Sequence, residues 1–194
     1  MPNELNSKDH RSMRLALMIA LVLATLCFRF SSFVFPVQFN FSPVNAIALF
    51  SGAYFTNRFQ SFLVPLISIW LSDLFLNYLY MHDFHPFYSG FYWQYGVYAL
   101  IVVAGILLSN KVNFSNILIG SLGASILFFV VTNFGVWYSF EMYPKSLEGL
   151  VLCYEAAIPF FKNTVMSDLV FTSVLFGTAY LINKKYPEPA LNKS

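Results

Sequence analysis

Long apolar runs separated by short polar ones dominate the chain. A helix crossing the ~30 Å hydrocarbon core of a bilayer needs about 20 mostly apolar residues. Five runs approach or reach that length: residues 15–35, 62–80, 91–108, 117–140 and 163–182. Two shorter runs, 43–55 and 150–161, cross only if they thin the bilayer or recruit their flanks. No linker divides the chain, so the pattern predicts one domain.

Charge decides between the two short runs. If 43–55 crosses and 150–161 does not, there are six spans and both termini share one side. That side then holds Lys8, Arg11, Arg14, Arg58, Lys111, Lys184, Lys185 and Lys193, and the other side keeps only Arg29, Lys145 and Lys162. The excess of Lys and Arg on cytoplasmic loops places both termini in the cytoplasm. The expected fold is an all-α integral membrane protein, a six-transmembrane-helix bundle. A short extra interfacial or re-entrant helix over 150–161 precedes the last span. Residues 1–13 form a cytoplasmic N-terminal segment, 14–183 the transmembrane domain and 184–194 a cytoplasmic tail.

Composition agrees with lipid as the solvent. Of the 194 residues 58% are hydrophobic and only 10% charged, against roughly 25% charged in soluble domains. Aromatic residues reach 20%, as interfacial belts require. The net charge of +2 comes without a basic cluster, so nucleic acid is not an expected partner. Cys27 and Cys153 lie in apolar stretches and read as buried free thiols. Phosphate-binding G-x-x-x-x-G-K-[ST], G-x-S-x-G and H-E-x-x-H motifs are all missing, so ATP hydrolysis and recognisable hydrolase chemistry are not expected. Asp73 and Asp168 fall at different depths, which argues against a proton-sharing protease dyad. The chain is not expected to be an enzyme or to carry a cofactor. His82, Asp83 and His85 form an H-D-x-H cluster in a loop, too few ligands to predict a metal site.

Polar residues inside the spans are the informative ones. Ionisable groups near the bilayer centre cost roughly 2.5–3.5 kcal/mol on insertion scales. The outer halves of the spans hold Arg29, Asn45, Asn77, Asn133, Asn163 and Asp168, with Asp73 near mid-depth, whereas the inner halves hold little beyond Ser and Thr. This asymmetry predicts a cavity open to the outside. Its expected lining is Asn45, Asp73, Asn77, Asn133, Trp137 and Asp168, with Arg29 and Glu155 in addition. Asp73 cannot reach water by bending and is expected to pair with Arg29 or bond to a neighbouring helix. Lys162 is the expected partner of Asp168. The aromatic groups Tyr92, Trp93, Tyr95, Trp137 and Tyr138 suit an interfacial belt or a stack on a planar ligand. Ser72-Asp73-Leu74 recurs as Ser167-Asp168-Leu169, a weak echo of two halves. Ala16, Ala20 and Ala24 repeat every four residues, a spacing that lets helices approach closely, within the bundle or against a partner helix.

The stretches NFSPVNAIALFSGAYF (40–55), VTNFGVWYSFEMYP (131–144) and LEGLVLCYEAAIPFFKNTVMSDLVFTSVLFG (147–177) resemble an uncharacterised family of bacterial membrane proteins. That family is in turn similar to the substrate-binding S components of energy-coupling factor vitamin transporters. The resemblance implies a subunit of the bacterial cytoplasmic (inner) membrane that binds a vitamin-like micronutrient in an outward-facing pocket. It also implies an energy-coupling transmembrane partner with ATPases, docked on the Ala16/Ala20/Ala24 stripe. Two other readings fit the residues: a structural or assembly subunit without ligand, and a stand-alone proton-coupled secondary transporter using Asp73 and Asp168.

Overall fold

The computed structural model describes residues 2–34, 40–82 and 86–185. Six helices follow in order: α1 (Pro2–Val34), α2 (Val44–Tyr54), α3 (Arg58–Met81), α4 (Phe91–Leu108), α5 (Phe114–Ser139) and α6 (Leu147–Lys185). Four of them, α3 to α6, are long and apolar enough to cross a membrane. Their outward faces carry Phe75, Leu107, Ile119 and Val174, all large apolar side chains left exposed.

The short helix α2 is the axis of the bundle. Every residue from Val44 to Gly52 is buried, and α2 packs against α3, α4, α5 and α6. A helix apolar all round belongs inside, and Ala46, Ala48, Ser51 and Gly52 are small enough for its neighbours to close in. Its 11 residues give only about 16 Å of length. That is about half of the ~30 Å needed to cross a bilayer, so the expected second span is too short to cross by itself. Pro43 supplies the N-cap with no side-chain hydrogen bond.

Pro65 shows how α2 and α3 are matched. Proline has no N–H, so within α3 it leaves the carbonyl of Ser61 without its helical donor. Ser51 Oγ of α2 donates to that carbonyl at 2.8 Å. Ser51→Ala orphans a buried carbonyl and is expected to cost about 1–3 kcal/mol. Pro65→Ala restores the donor within α3, so the double variant should melt close to wild type. A Ser51→Ala loss that Pro65→Ala leaves unchanged would disprove the pairing.

Two expectations need correction. Residues 150–161 are not a separate helix: they are the first turns of α6, which runs unbroken for 39 residues through Pro159. The proline forfeits one backbone bond, but α5 grips both sides of it. Phe129 packs on Tyr154 at 5.5 Å and on Phe161 at 4.7 Å, and Tyr154 donates its hydroxyl to the Val130 carbonyl at 2.7 Å. Residues 2–13 belong to α1, which starts at Pro2 and meets no Gly or further Pro before residue 36. Cys153 is buried as expected, but Cys27 is exposed on α1. Asp83 and His85 lie outside the described residues, as do residues 186–194 of the expected tail.

Candidate functional site: a polar cavity at the N-terminal end of α2

Because α2 stops short, a cavity of about 240 Å³ remains at its N-terminal end, lined by Arg29 of α1, Asn40, Ser42, Val44 and Asn45 around the start of α2, Leu76 and Tyr80 of α3, Gln94 and Tyr98 of α4, Phe128 of α5 and Thr164 of α6. All six helices contribute to one polar space. Unpaired N–H groups and the helix dipole make a helix start electropositive. Arg29 Nε and Ser42 Oγ are buried there without a hydrogen-bond partner among the described residues, as is Asn45 Oδ1.

Each of the two central polar residues is held from behind by an aspartate. Arg29 Nη2 meets Asp73 Oδ1 at 2.5 Å, and Tyr95 donates its hydroxyl to Asp73 Oδ2 at 3.1 Å. The expected Arg29–Asp73 pair thus forms, and it fixes the guanidinium beside the cavity. Asn45 Nδ2 donates to Asp168 Oδ2 at 2.9 Å, and Ser125 Oγ donates to the same oxygen at 2.6 Å. Lys162 is not the partner of Asp168 and is exposed. The two Ser-Asp-Leu segments therefore do matching work: each sends a buried aspartate to hold one cavity residue. A third support lies in the loop before α4, where Tyr88 donates to Gln94 Oε1 at 2.5 Å. Burial pushes the Tyr88 phenol well above its ordinary value, which keeps that proton in place and leaves the Gln94 amide N–H groups to donate elsewhere.

Of the residues expected to line a pocket, Arg29 and Asn45 do so, and Asp73 and Asp168 stand one contact behind them. The others lie elsewhere. Trp137 clamps the loop after α5, with Nε1 donating to the Pro144 carbonyl at 2.8 Å and Lys145 Nζ 5.9 Å from the ring centre. Asn133 bonds back to the Phe129 carbonyl at 2.7 Å. Glu155 is exposed, and Asn77 is absent from the lining. Trp93 and Tyr92 turn to Ser139 Oγ, at 3.0 and 3.1 Å. Ser42, Gln94, Tyr98 and Thr164 were not anticipated. The four-residue spacing of Thr164, Asp168 and Thr172 is the pattern in the sequence that points to the last of them.

At the opposite end of α2, beside Arg58, lies a larger and more apolar cavity of about 1290 Å³. Tyr54, Phe114, Leu118, Phe176 and Tyr180 form much of its wall, and Ser121 and Thr172 reach it from α5 and α6.

These features define an all-helical protein with four helices long and apolar enough to cross a membrane, built around a short buried helix with a polar cavity at its start. The chain belongs to the Family of unknown function (DUF6580), whose model matches residues 7–191. No curated protein and no solved structure matches it.

Proposed function

We propose that this protein binds a small solute bearing a carboxylate or similar acceptor group at the N-terminal end of α2, as a step in its uptake. One observation carries the reading. Two buried donors with no partner among the described residues, Arg29 Nε and Ser42 Oγ, border a cavity at an electropositive helix start. A carboxylate there would satisfy both, and Asn45 Oδ1 would accept from a neighbouring hydroxyl or amine of the same solute. The Asp73 and Asp168 supports reduce the ordering cost of binding. The size of the cavity favours a compact micronutrient over a bulky ring system.

The wider reading is a solute-capture subunit of the S-component kind. It has six spans in the bacterial cytoplasmic membrane, both termini inside and the Arg29 end facing out. Ala16 and Ala20 are exposed and Ala24 half-buried, which leaves their face of α1 open to a partner helix and supports docking on an energised transmembrane subunit. The stand-alone transporter reading is favoured by one feature, the buried Asp168 between two cavities.

A thermal-shift panel tests the proposal, comparing small carboxylates with their uncharged amides on the full-length protein. A bound acid at 100 times its Kd should stabilise by about 2.7 kcal/mol. Ser42→Ala should weaken that shift, Ser42→Ile should abolish it by filling the cavity, and neither should change the melting of the free protein by much. Equal shifts with acids and amides, or shifts that survive Ser42→Ile, would contradict it.

A further inference from the structure

Thr164, Asp168 and Thr172 repeat every four residues on α6, and all three are buried. That spacing puts them on one helix face. Thr164 lines the cavity at the Arg29 end and Thr172 the one at the Arg58 end. Asp168 stands between them, about 6 Å along the axis from each. Across the seam α5 presents Ser125, bonded to Asp168 at 2.6 Å, and one turn nearer the Arg58 end Ser121, which also lines the larger cavity. The third wall is Asn45 of α2.

The bonds on this carboxylate are one-sided. Oδ2 takes both, from Ser125 and Asn45. Among the described residues Oδ1 is buried with no partner, and so are Asn45 Oδ1, Ser121 Oγ and Thr172 Oγ1. Among the described residues no Lys, Arg or His nitrogen lies within ion-pair distance of Asp168. Arg29 of α1 is committed to Asp73. From α4 the titratable neighbour is Tyr98, buried and within electrostatic reach. From α2 and α5 come only an amide and hydroxyls. A buried carboxylate without a counter-charge is too costly to leave bare, and the unpartnered atoms around it are all oxygens, the ligands a hard cation takes. One negative charge matches one positive one.

From this we infer that Asp168 and Asn45 form the core of a binding site for a small monovalent cation, sodium ion or proton, placed so that it exchanges with either cavity. Sodium would draw on Asp168 Oδ1, Asn45 Oδ1 and the Thr172 and Ser121 hydroxyls. A proton would sit on Asp168 Oδ1 and bond to Asn45 Oδ1, closing an acid–amide ring with the Asn45 Nδ2 bond already present. Either ion would give uptake a source of energy within this chain. The site goes beyond the solute-binding reading and does not depend on it.

The test is melting of the full-length protein in choline chloride and in sodium chloride, with infrared spectra of the carboxyl region at neutral pH. Sodium occupancy predicts a saturable, sodium-dependent rise in Tm that Asp168→Asn removes and Thr172→Val weakens by about tenfold in sodium affinity. Proton occupancy predicts a sodium-blind Tm and a protonated-carboxyl band that Asp168→Asn removes. Asn45→Ala, which keeps the carboxyl, should shift that band even if Asp168→Asn fails to fold. A sodium-blind Tm together with no protonated-carboxyl band at neutral pH would overturn the inference.

Discussion

Gly105→Leu should abolish the folded protein, and Gly105→Ala should already be severe. The reason is the crossing of α2 and α4, where a Cβ on Gly105 would overlap the Leu49 carbonyl and one on Gly52 would overlap the Val102 carbonyl. Those neighbours are backbone, not the tips of flexible side chains, so the helices themselves must part. Small residues at a crossing let backbones meet and gain packing that lipid cannot replace. Overpacking a core by a methylene or two costs typically 1–3 kcal/mol, and forcing a backbone contact apart should exceed about 3. Because α2 is the axis of the bundle, displacing it also opens the walls of both cavities. Gly123 and Gly177 are the controls, since a Cβ at either meets nothing within 4 Å. Alanine there should be neutral or stabilise by up to about 1 kcal/mol through helix propensity. Size-exclusion profiles and melting curves of the four alanine variants decide the matter, and equal effects at Gly105 and Gly123 would disprove the crossing.

The second large effect belongs to Arg29 and Asp73. Asp73 is buried to 5% side-chain exposure, while Arg29 retains 17%. Removing one member of a buried pair typically costs 3–5 kcal/mol, mostly for the charge left behind. Water reaches Arg29 in part, so the lower end, about 3 kcal/mol, is expected for Arg29→Met. Among the described residues, that variant leaves Asp73 with only the Tyr95 hydroxyl. The double variant Arg29→Met/Asp73→Leu should recover most of the loss, because a neutral pair of similar volume removes the stranded charge. It should nevertheless bind no carboxylate. Folding and binding thus come apart in one cycle of melting and thermal-shift measurements. Additive losses in the double variant would mean that the two side chains do not share an energy.

Much of this architecture was legible from apolar run lengths, which located all six helices and, through the depth of Asp73, its pairing with Arg29. What hydropathy could not supply was the arrangement across helices. In a soluble bundle the polar face marks the outside, but here the exposed faces and the core are both apolar, so periodicity does not say which side of α5 or α6 is buried. Asn45 and Asp168 lie 123 positions apart, and nothing local links them. The same holds for Ser51 and the carbonyl freed by Pro65. The unbroken α6 was missed because run lengths and charge separate 150–161 from 163–182, and nothing local shows that Phe129 of α5 packs on both sides of Pro159. Trp137 and Asn133 sat at the right depth for a cavity but on other faces of α5. Depth is legible in such a sequence, while azimuth is not.

The most direct test of solute binding is native mass spectrometry of the protein purified gently from rich medium, wild type beside Ser42→Ile. The account predicts a small acidic molecule bound one per chain to the wild type and missing from the filled variant. A wild-type spectrum that stays empty after a panel of small organic acids is added would contradict it, as would a ligand held equally by both proteins.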